Sequence, residues 1–321
     1  MKKRILTVML ALLVLVALPV MAQKVKIGVS IPSADHGWTG GVVYYSQMAI
    51  KDITAKDKNV DFTLTLADSP QKQFSDVEDL MAKGVNALVV LAYDSSTLTP
   101  AIKKAKEKGI YVVSVDRGLT EPVQDVYIAG DNPGMGQVSA EYLGKVMGGK
   151  GKMVILEGIP CVINSERVDT FNAVMKAKFP GIEILDSQPA NWSAQKGLEV
   201  MQTYLQKYKQ IDALWCQDDD ILIGVLQAYK ESGRHEIKYM LGGGGSKEMI
   251  KKVLDGDPVI TADVTYPPSM VYPGIQMAVL GVRGQNLSGF IQAKIPTKII
   301  IAAELVTKDN VKKYYDPKSM Y

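Results

Sequence analysis

Short apolar runs, rich in β-branched residues, alternate with helical patterns along most of the chain. The first four runs are VKIGVSI at 25–31, DFTLTLAD at 61–68, ALVVLAYD at 87–94 and YVVSVDR at 111–117. They are apolar almost throughout, as expected for parallel strands covered on both faces. Helical segments separate them around Gln47 to Ala55, at QFSDVEDLMAKG and at TPAIKKAKEKG. The last two segments end in glycine, which favours helix termination. The alternation predicts a parallel sheet with right-handed crossover connections.

The same alternation repeats in the second half of the chain. The predicted strands there are KMVILEG, IEILDSQ, DALWCQD, KYMLGG and VITADV, and helices are expected to start near Ser165, Ser193, Ile221 and Ser246. After Val264 three prolines interrupt the pattern, a helix follows to about Gly284, and KIIIAAELV at 298–306 is predicted as a last strand. Two rounds of strand–helix alternation predict two similar α/β lobes.

The first residues have the pattern of a secretory signal. Three basic residues at 2–4 precede an almost entirely apolar run from Ile5 to Val20, and Ala22 follows. Cleavage is therefore expected after Ala22. A membrane anchor is the alternative, but the apolar run is shorter than the roughly 20 residues that span a bilayer.

Removal of this leader changes the charge of the protein. The whole chain has 37 Lys+Arg and 34 Asp+Glu, for a net charge of +3. The leader carries three basic residues and no acidic one, so the remaining chain has equal numbers of both and a net charge of zero. We therefore expect no nucleic-acid partner, because such binding needs an excess of basic residues.

Polar, aromatic or glycine-rich segments follow the predicted strands. In open parallel sheets, ligands bind beyond the carboxyl ends of the strands, so a binding site is expected in these segments. They are ADHGW at 34–38, AYDSS at 92–96, DRG at 116–118, GDNPGMG at 130–136, GIPCVINSER at 158–167, QPANW at 188–192, QDDD at 217–220, GGGGS at 242–246 and DVTYPP at 263–268.

These segments contain side chains of the kinds that bind sugars. Trp38 and Trp192 come from different lobes, and aromatic rings can cover the apolar faces of a sugar ring. Asp116, Arg117 and Arg167 supply acceptors and donors for its hydroxyls. The alternatives are ordinary core packing for the tryptophans and a surface ion pair for the Asp-Arg neighbours.

Other chemistries have little support. Three consecutive carboxylates at 218–220 could bind a metal, but the loop around them lacks the regularly spaced oxygen ligands of a calcium-binding loop. Two of them could act as the carboxylate pair of a glycosidase, or some could cap the next helix. The glycine-rich loops lack the phosphate-binding patterns, and the two histidines, His36 and His235, have no matched nucleophile. We therefore predict no cofactor and no metal. Cys161 and Cys216 are either a disulfide or two buried thiols, since spacing alone does not decide.

Five segments resemble the periplasmic sugar-binding proteins of ABC transporters, of the ribose-binding type. They are SQPANWSAQKGLEVMQ at 187–202, VDRG at 115–118, AGDNPGMG at 129–136, ERVDTF at 166–171 and CQDDD at 216–220. The resemblance implies an α/β fold with two doubly wound parallel-sheet lobes joined by a three-segment hinge. It places residues 24–129 and 265–295 in the first lobe, and residues 130–264 and 296–321 in the second.

The same resemblance implies a set of ligand-binding residues. They are Asp35, His36, Trp38, Tyr93, Asp94, Asp116, Arg117, Arg167, Trp192, Asp218, Asp219 and Asp263. Three positions depart from ribose binders: Ala92 and Gly244 replace polar side chains, and Asp263 stands where those proteins carry Gln. The expected ligand is thus a neutral monosaccharide or sugar alcohol, and ribose is not expected to be the preferred one.

The implied function is that of a monomeric periplasmic receptor, not an enzyme, that delivers its ligand to an ABC permease in the inner membrane. An exported sugar sensor for chemotaxis or signalling is the first alternative, because the sequence does not separate it from transport. A sugar-active enzyme is the second alternative.

Overall fold

The computed structural model describes residues 24–34, 37–284 and 295–321. The predicted leader and its cleavage site lie outside the described residues, as do the predicted ligand residues Asp35 and His36.

The first lobe is built on a six-stranded parallel sheet. Its strands are β1 (Val25–Pro32), β2 (Val60–Ala67), β3 (Ala87–Val90), β4 (Tyr111–Val115), β5 (Val126–Gly130) and β11 (Lys298–Ile301). Their order is β11-β5-β4-β3-β1-β2, with β1 paired to both β2 and β3. The helices are α1 (Gly37–Lys56), α2 (Pro70–Ala82), α3 (Ser95–Glu107) and α9 (Val271–Val282). The order reverses beside β1, which is where ligands bind in such sheets.

The second lobe repeats the design with four parallel strands. They are β6 (Lys150–Glu157), β7 (Gly181–Pro189), β8 (Ala213–Cys216) and β9 (Tyr239–Leu241), in the order β7-β6-β8-β9. The helices are α4 (Asn132–Val146), α5 (Val162–Lys178), α6 (Ala194–Lys207), α7 (Asp219–Ser232) and α8 (Lys247–Asp255). Trp215 of β8 stacks on Phe171 of α5 with ring centroids 4.1 Å apart, inside the core of this lobe.

A small antiparallel pair lies where the chain passes between the two sheets. Strand β10 (Ala262–Val264) pairs with β12 (Leu305–Thr307), and Asp263 is opposite Val306. The chain leaves the first sheet after β5, returns after β10 and leaves again between β11 and β12. Three crossings therefore join the sheets, as predicted for a three-segment hinge.

The structure corrects two predictions near these crossings. The run KIIIAAELV is not one strand: its first half pairs with β5 as β11, and its last residues pair with β10 as β12. The predicted lobe boundary at 295/296 therefore comes too early, because β11 belongs to the first sheet. Strand β5, with the sequence VYIAG, was not predicted at all, although its β-branched and aromatic residues are typical of strands.

Aspartates that follow strands begin several helices. Asp94, Asp131 and Asp218 each accept a backbone N–H from the first turn of the next helix. Such caps satisfy donors that have no partner within the helix. Within the described residues, no helix has the length and apolar character needed to cross a membrane.

Candidate ligand-binding site

A cavity lies between the lobes, at the carboxyl ends of both sheets. The first lobe and the second crossing contribute Trp38, Asp116, Arg117 and Tyr266; the second lobe contributes Ile163, Arg167, Trp192, Gln217, Asp218, Gly243 and Gly244. Aromatic rings together with a few converging polar groups are typical of a small-molecule site. The lobes also meet beside it, since the Gly37 N–H at the start of α1 donates to Asp220 Oδ2 at 2.8 Å.

The two predicted tryptophans line the cavity from opposite lobes. Trp38 is fixed by its indole N–H, which donates to the Tyr266 carbonyl at 2.8 Å. Trp192 has a φ of 51°, a left-handed conformation uncommon for a bulky residue. Its indole lies against Gly158, where a Cβ would come within 2.2 Å of Trp192 Nε1. A bare backbone at 158 is thus what lets this ring reach the cavity.

Asp116 forms the polar wall of the first lobe. It follows β4 with a φ of 62°, and its carbonyl accepts the Tyr127 hydroxyl at 2.6 Å. Its Oδ1 accepts the Tyr266 hydroxyl at 2.6 Å. Backbone strain of this kind at a cleft is typical of functional positions. The second carboxylate oxygen is not needed for the Tyr266 bond and can accept from a ligand.

Arg167 forms the donor wall of the second lobe. Its Nε donates to Asn132 Oδ1 at 2.9 Å and its Nη1 to the Gln217 carbonyl at 3.3 Å. The guanidinium carbon lies 4.4 Å from the Tyr266 ring centroid and 6.0 Å from that of Trp192. These contacts orient the planar group and leave other N–H donors of its fork for a ligand.

Asp218 combines a structural bond with a cavity position. Its Oδ1 accepts the Asp220 N–H at 2.7 Å as the cap of α7. Burial raises the pKa of Asp218 well above its usual value, and the neighbouring Asp220 and Asp219 raise it further, while Arg167 opposes the shift. A raised pKa favours the protonated form of this carboxyl, and that form can donate to a ligand hydroxyl as well as accept from one.

Asp219 and Asp263 lie behind the cavity wall and not in its lining, contrary to the expectation that they contact ligand. Asp219 accepts the Gly243 N–H at 2.9 Å and the Ser246 N–H at 2.7 Å, and Asp263 accepts the Val264 N–H at 2.8 Å. Burial raises the pKa of both carboxyls, that of Asp219 to about 7, and each acts on the other. The pair thus holds a proton and ties the β9–α8 loop to the hinge.

Arg117 also lines a second space, the mouth groove, which it shares with Tyr93, Asp94, Trp192 and Asp220. Arg117 Nη1 donates to the Tyr93 carbonyl at 3.1 Å. The Asp94 carboxylate caps α3 through Thr97 N at 2.7 Å, and bonds to Ser96 and Thr97 lower its pKa. Tyr93 and Asp94 therefore belong to the entrance and not to the inner cavity.

Tyr266 and Gln217 line the cavity although neither was predicted. Tyr266 contacts Trp38, Asp116 and Arg167, which makes it the central side chain of the site. Both side-chain atoms of Gln217 are buried without a hydrogen-bond partner among the described residues. An amide of this kind, with a free donor and a free acceptor, suits a hydroxyl-rich ligand.

Neither cysteine is paired. Cys216 is buried at the end of β8, where burial raises its pKa, and Cys161 is exposed beside α5. The cysteines are therefore free thiols, and of the two only Cys216 is buried. Among the residues that the structure describes, no three His, Cys, Asp or Glu side chains are grouped as metal ligands would be.

The class of protein follows from the fold and from a family match. Residues 27–286 match the family model described as a periplasmic binding protein domain. The chain therefore belongs to the periplasmic binding protein family, whose members are solute-binding proteins and not enzymes.

Curated relatives have similar sequences over most of this chain. The Ribose import binding protein RbsB of Escherichia coli is 30% identical over 258 residues, which cover 78% of this chain and 84% of that protein. RbsB of Bacillus subtilis is 30% identical over 62% of this chain and 64% of its own length, slightly under two thirds. The Xylitol-binding protein of Mycolicibacterium smegmatis is 29% identical over 81% of this chain and 72% of that protein.

Solved structures of sugar-binding proteins have the same fold. A periplasmic solute-binding protein of an ABC transporter from Actinobacillus succinogenes, with bound D-allose, has a TM-score of 0.78 and 25% identity, covering 91% of this chain and 100% of that one. The fructose-binding periplasmic domain of a hybrid two-component system has a TM-score of 0.78 and 26% identity, covering 91% and 93%.

Proposed function

We propose that this protein is the periplasmic receptor of an ABC importer and binds a neutral monosaccharide or sugar alcohol between its lobes. The observation that carries the proposal is a cavity between the lobes, lined by one tryptophan from each lobe and by Asp116, Arg167 and Asp218. The relatives named for ribose and xylitol support it.

The polar groups of the cavity match hydroxyls better than anions. Arg167 donates to Asn132 and to the Gln217 carbonyl, and these two bonds fix the direction of its remaining donors. Asp116 brings a carboxylate to the opposite wall. A sugar acid or sugar phosphate would place its charge beside this carboxylate, and like charges at close range are unfavourable. A hydroxyl can donate to Asp116 and accept from Arg167 or a protonated Asp218.

The architecture fits ligand capture by lobe closure. We assign residues 24–34, 37–130, 265–284 and 295–301 to the first lobe, and 131–264 and 305–321 to the second. The strand pair β10–β12 lies at the crossings, and rotation there would open the cavity to the mouth groove. Closure about short crossings is a common motion in two-lobed receptors. We propose that the protein acts as a monomer after cleavage following Ala22, and that the permease meets the closed form.

A thermal-shift screen of the protein starting at residue 23 tests the ligand class. Pentoses, hexoses and polyols form the test set; sugar acids and sugar phosphates form the matched control set. A ligand that binds the native state raises the melting temperature by mass action. We expect a rise with at least one neutral member and none with its charged counterpart. A rise confined to charged compounds would contradict the proposal.

The structural similarity to a fructose-binding sensor domain favours one second candidate, an exported sugar-sensing receptor. Sugar uptake separates the two. Deletion of the gene should abolish uptake of the radiolabelled ligand if the protein serves an importer. Normal uptake together with a lost transcriptional or chemotactic response to that sugar would assign the protein to sensing.

A further inference from the structure

The segment 316–321 lies against both lobes at the hinge side of the cavity. Its backbone is folded on itself, since Ser319 N donates to the Asp316 carbonyl at 3.1 Å and Tyr321 N to Ser319 Oγ at 3.2 Å. Ser319 Oγ is 3.3 Å from the hydroxyl of Tyr45 on α1, in the first lobe. The Ser319 carbonyl accepts Lys247 Nζ at 2.6 Å from α8, in the second lobe. The segment therefore bridges two elements that move apart if the lobes open.

Tyr321 is the inner end of this bridge. Two glycines, one in each lobe, make room for it. A Cβ at Gly41 of α1 would lie 2.8 Å from Tyr321 Cβ, and a Cβ at Gly244 would lie 2.1 Å from the Tyr321 hydroxyl. Any other residue at either position would meet the tyrosine, so the side chain is wedged between the two backbones. Only 7% of Tyr321 is exposed.

Gly244 connects this contact to the binding site. Gly243 and Gly244 form part of the cavity wall, and Gly244 has a φ of +128°, a conformation that glycine adopts readily. On the hinge side, Gly244 N donates to the Val264 carbonyl at 2.7 Å and Tyr266 N donates to the Gly244 carbonyl at 3.1 Å. Tyr321 thus lies behind a single layer of backbone that has the cavity on its other side.

We propose that Tyr321 is a positioning residue of the binding site. It holds the Gly243–Gly244 wall in place and joins that wall to α1 when the lobes are closed. The proposal rests on the proposed function. Since the contact requires both lobes, Tyr321 stabilises the closed form that retains ligand. A residue that only packed within one lobe would affect folding and leave ligand retention unchanged.

Two substitutions and one control separate these roles. Tyr321→Ala removes the wedge, whereas Tyr321→Phe keeps the ring and loses only the hydroxyl. Tyr315→Ala is the control, because Tyr315 is close in the chain but packs against the core of the second lobe alone. The probes are xylitol and D-allose, with dissociation constants measured by calorimetry and dissociation rates by stopped-flow tryptophan emission.

We expect Tyr321→Ala to weaken binding of the tighter-binding probe at least tenfold, mainly through faster dissociation. The probe that binds more tightly to wild type should also bind more tightly to the variant. Tyr321→Phe should stay within twofold of wild type, and Tyr315→Ala should lower the melting temperature with unchanged affinity. An unchanged dissociation constant in Tyr321→Ala would overturn the proposal, as would a Phe variant as weak as the Ala variant.

Hydrogen exchange of the ligand-free protein gives a readout that needs no sugar. In Tyr321→Ala, exchange should rise both in residues 37–46 of α1 and in residues 242–247 around Gly244, which lie in different lobes. In Tyr315→Ala it should rise in neither. If exchange rises in both segments while no sugar binds the wild type, the bridge stands and the proposed function fails. A rise in one segment only would refute the bridge.

Discussion

Trp192 reaches the cavity through a left-handed backbone and a glycine at 158, so its position is specified by more than its own side chain. We predict that Trp192→Ala weakens binding of the ligand found in the screen by about 1.5–3 kcal/mol, the typical value of a buried large apolar side chain. That loss is ten- to hundredfold in the dissociation constant measured by calorimetry. Trp215→Phe is the control, since Trp215 stacks on Phe171 in the core: it should lower the melting temperature and leave affinity intact. Equal affinity in Trp192→Ala and wild type would remove the stacking role.

Arg167 tests the polar half of the site. Arg167→Ala should cost about 1.5–3 kcal/mol of binding free energy, the usual range for a hydrogen bond to a charged group. Arg234→Ala is the control, because Arg234 also donates to backbone carbonyls, those of Leu205, Tyr208 and Lys209, but does not line the cavity. We expect Arg234→Ala to reduce stability alone. If Arg167→Ala instead lowers the melting temperature with an unchanged dissociation constant, Arg167 is a structural residue.

Site residues between the end of a strand and the first turns of the next helix could be located from sequence, and those positioned by the hinge could not. Trp38, Asp116, Arg167, Trp192 and Asp218 line the cavity, and their contact with ligand stays a prediction. Near the second crossing, the prediction favoured Asp263, whereas Tyr266 lines the cavity. One signal was available: Tyr266 precedes a proline, which favours extended backbone at the end of a strand. Which of the residues at 263–266 faces the ligand depends on the pairing of β10 with β12, and no local pattern encodes that pairing.

At the scale of elements, KIIIAAELV shows why a hydrophobic pattern predicts strands better than it predicts sheets. All its residues from Lys298 to Ile301 and from Leu305 to Val306 are in strands, but the two strands pair with partners more than 40 residues away, in different sheets. The residues Ala302 to Glu304 between them are the third crossing. Apolar periodicity carries no information on partner choice, so the boundary between lobes needed the structure.

The hinge carboxyls predict a pH dependence of stability. Burial raises the pKa of Asp263 well above its ordinary value and that of Asp219 to about 7, so the folded protein keeps a proton that the unfolded chain releases near pH 4. Stability from this proton is present below about pH 4 and is lost as the pH rises through 7. We predict that the free energy of unfolding, from urea titrations at pH 5 to 8, falls with rising pH, and that Asp263→Asn flattens this slope.

Asp186 provides the control for that experiment. Bonds from Gln188 and Lys207 lower the pKa of Asp186 to about 2, so its contribution changes only at acidic pH. Asp186→Asn should therefore leave the slope between pH 5 and 8 as it is in wild type. A slope in Asp263→Asn equal to that of wild type would show that the hinge pair does not hold a proton in the folded protein.

At the scale of the whole molecule, the two halves of the chain build similar lobes, but the finished site also needs residues that belong to neither repeat. Tyr266 comes from a crossing and Tyr321 from the far end of the chain, beyond the last strand. Tyr321 has no neighbours in sequence that suggest a ligand site; its role follows from Gly41 and Gly244, which leave the space it fills. The two strand–helix repeats of the sequence thus predict the two walls of the cleft. They do not predict the residues outside both repeats, such as Tyr266 and Tyr321, on which the closed form also depends.

The identity of the ligand is also a property of the whole cleft, and we predict that ribose is not the preferred one. Sugar sites discriminate by which hydroxyls find partners, since an unmatched buried polar group is costly. Ala92 is buried and offers no polar side chain, and the wall at Gly244 is bare backbone supported by Tyr321. The cavity instead gains Tyr266, Gln217 and Asp218, whose pKa is raised by burial, and this arrangement of polar groups suits a differently shaped polyhydroxylated ligand. Calorimetry with ribose, allose, fructose, arabinose, xylitol and myo-inositol decides the question: we expect at least one of the others to bind tenfold more tightly than ribose. Submicromolar ribose binding that exceeds every other member of this set would show that these differences leave ribose recognition intact.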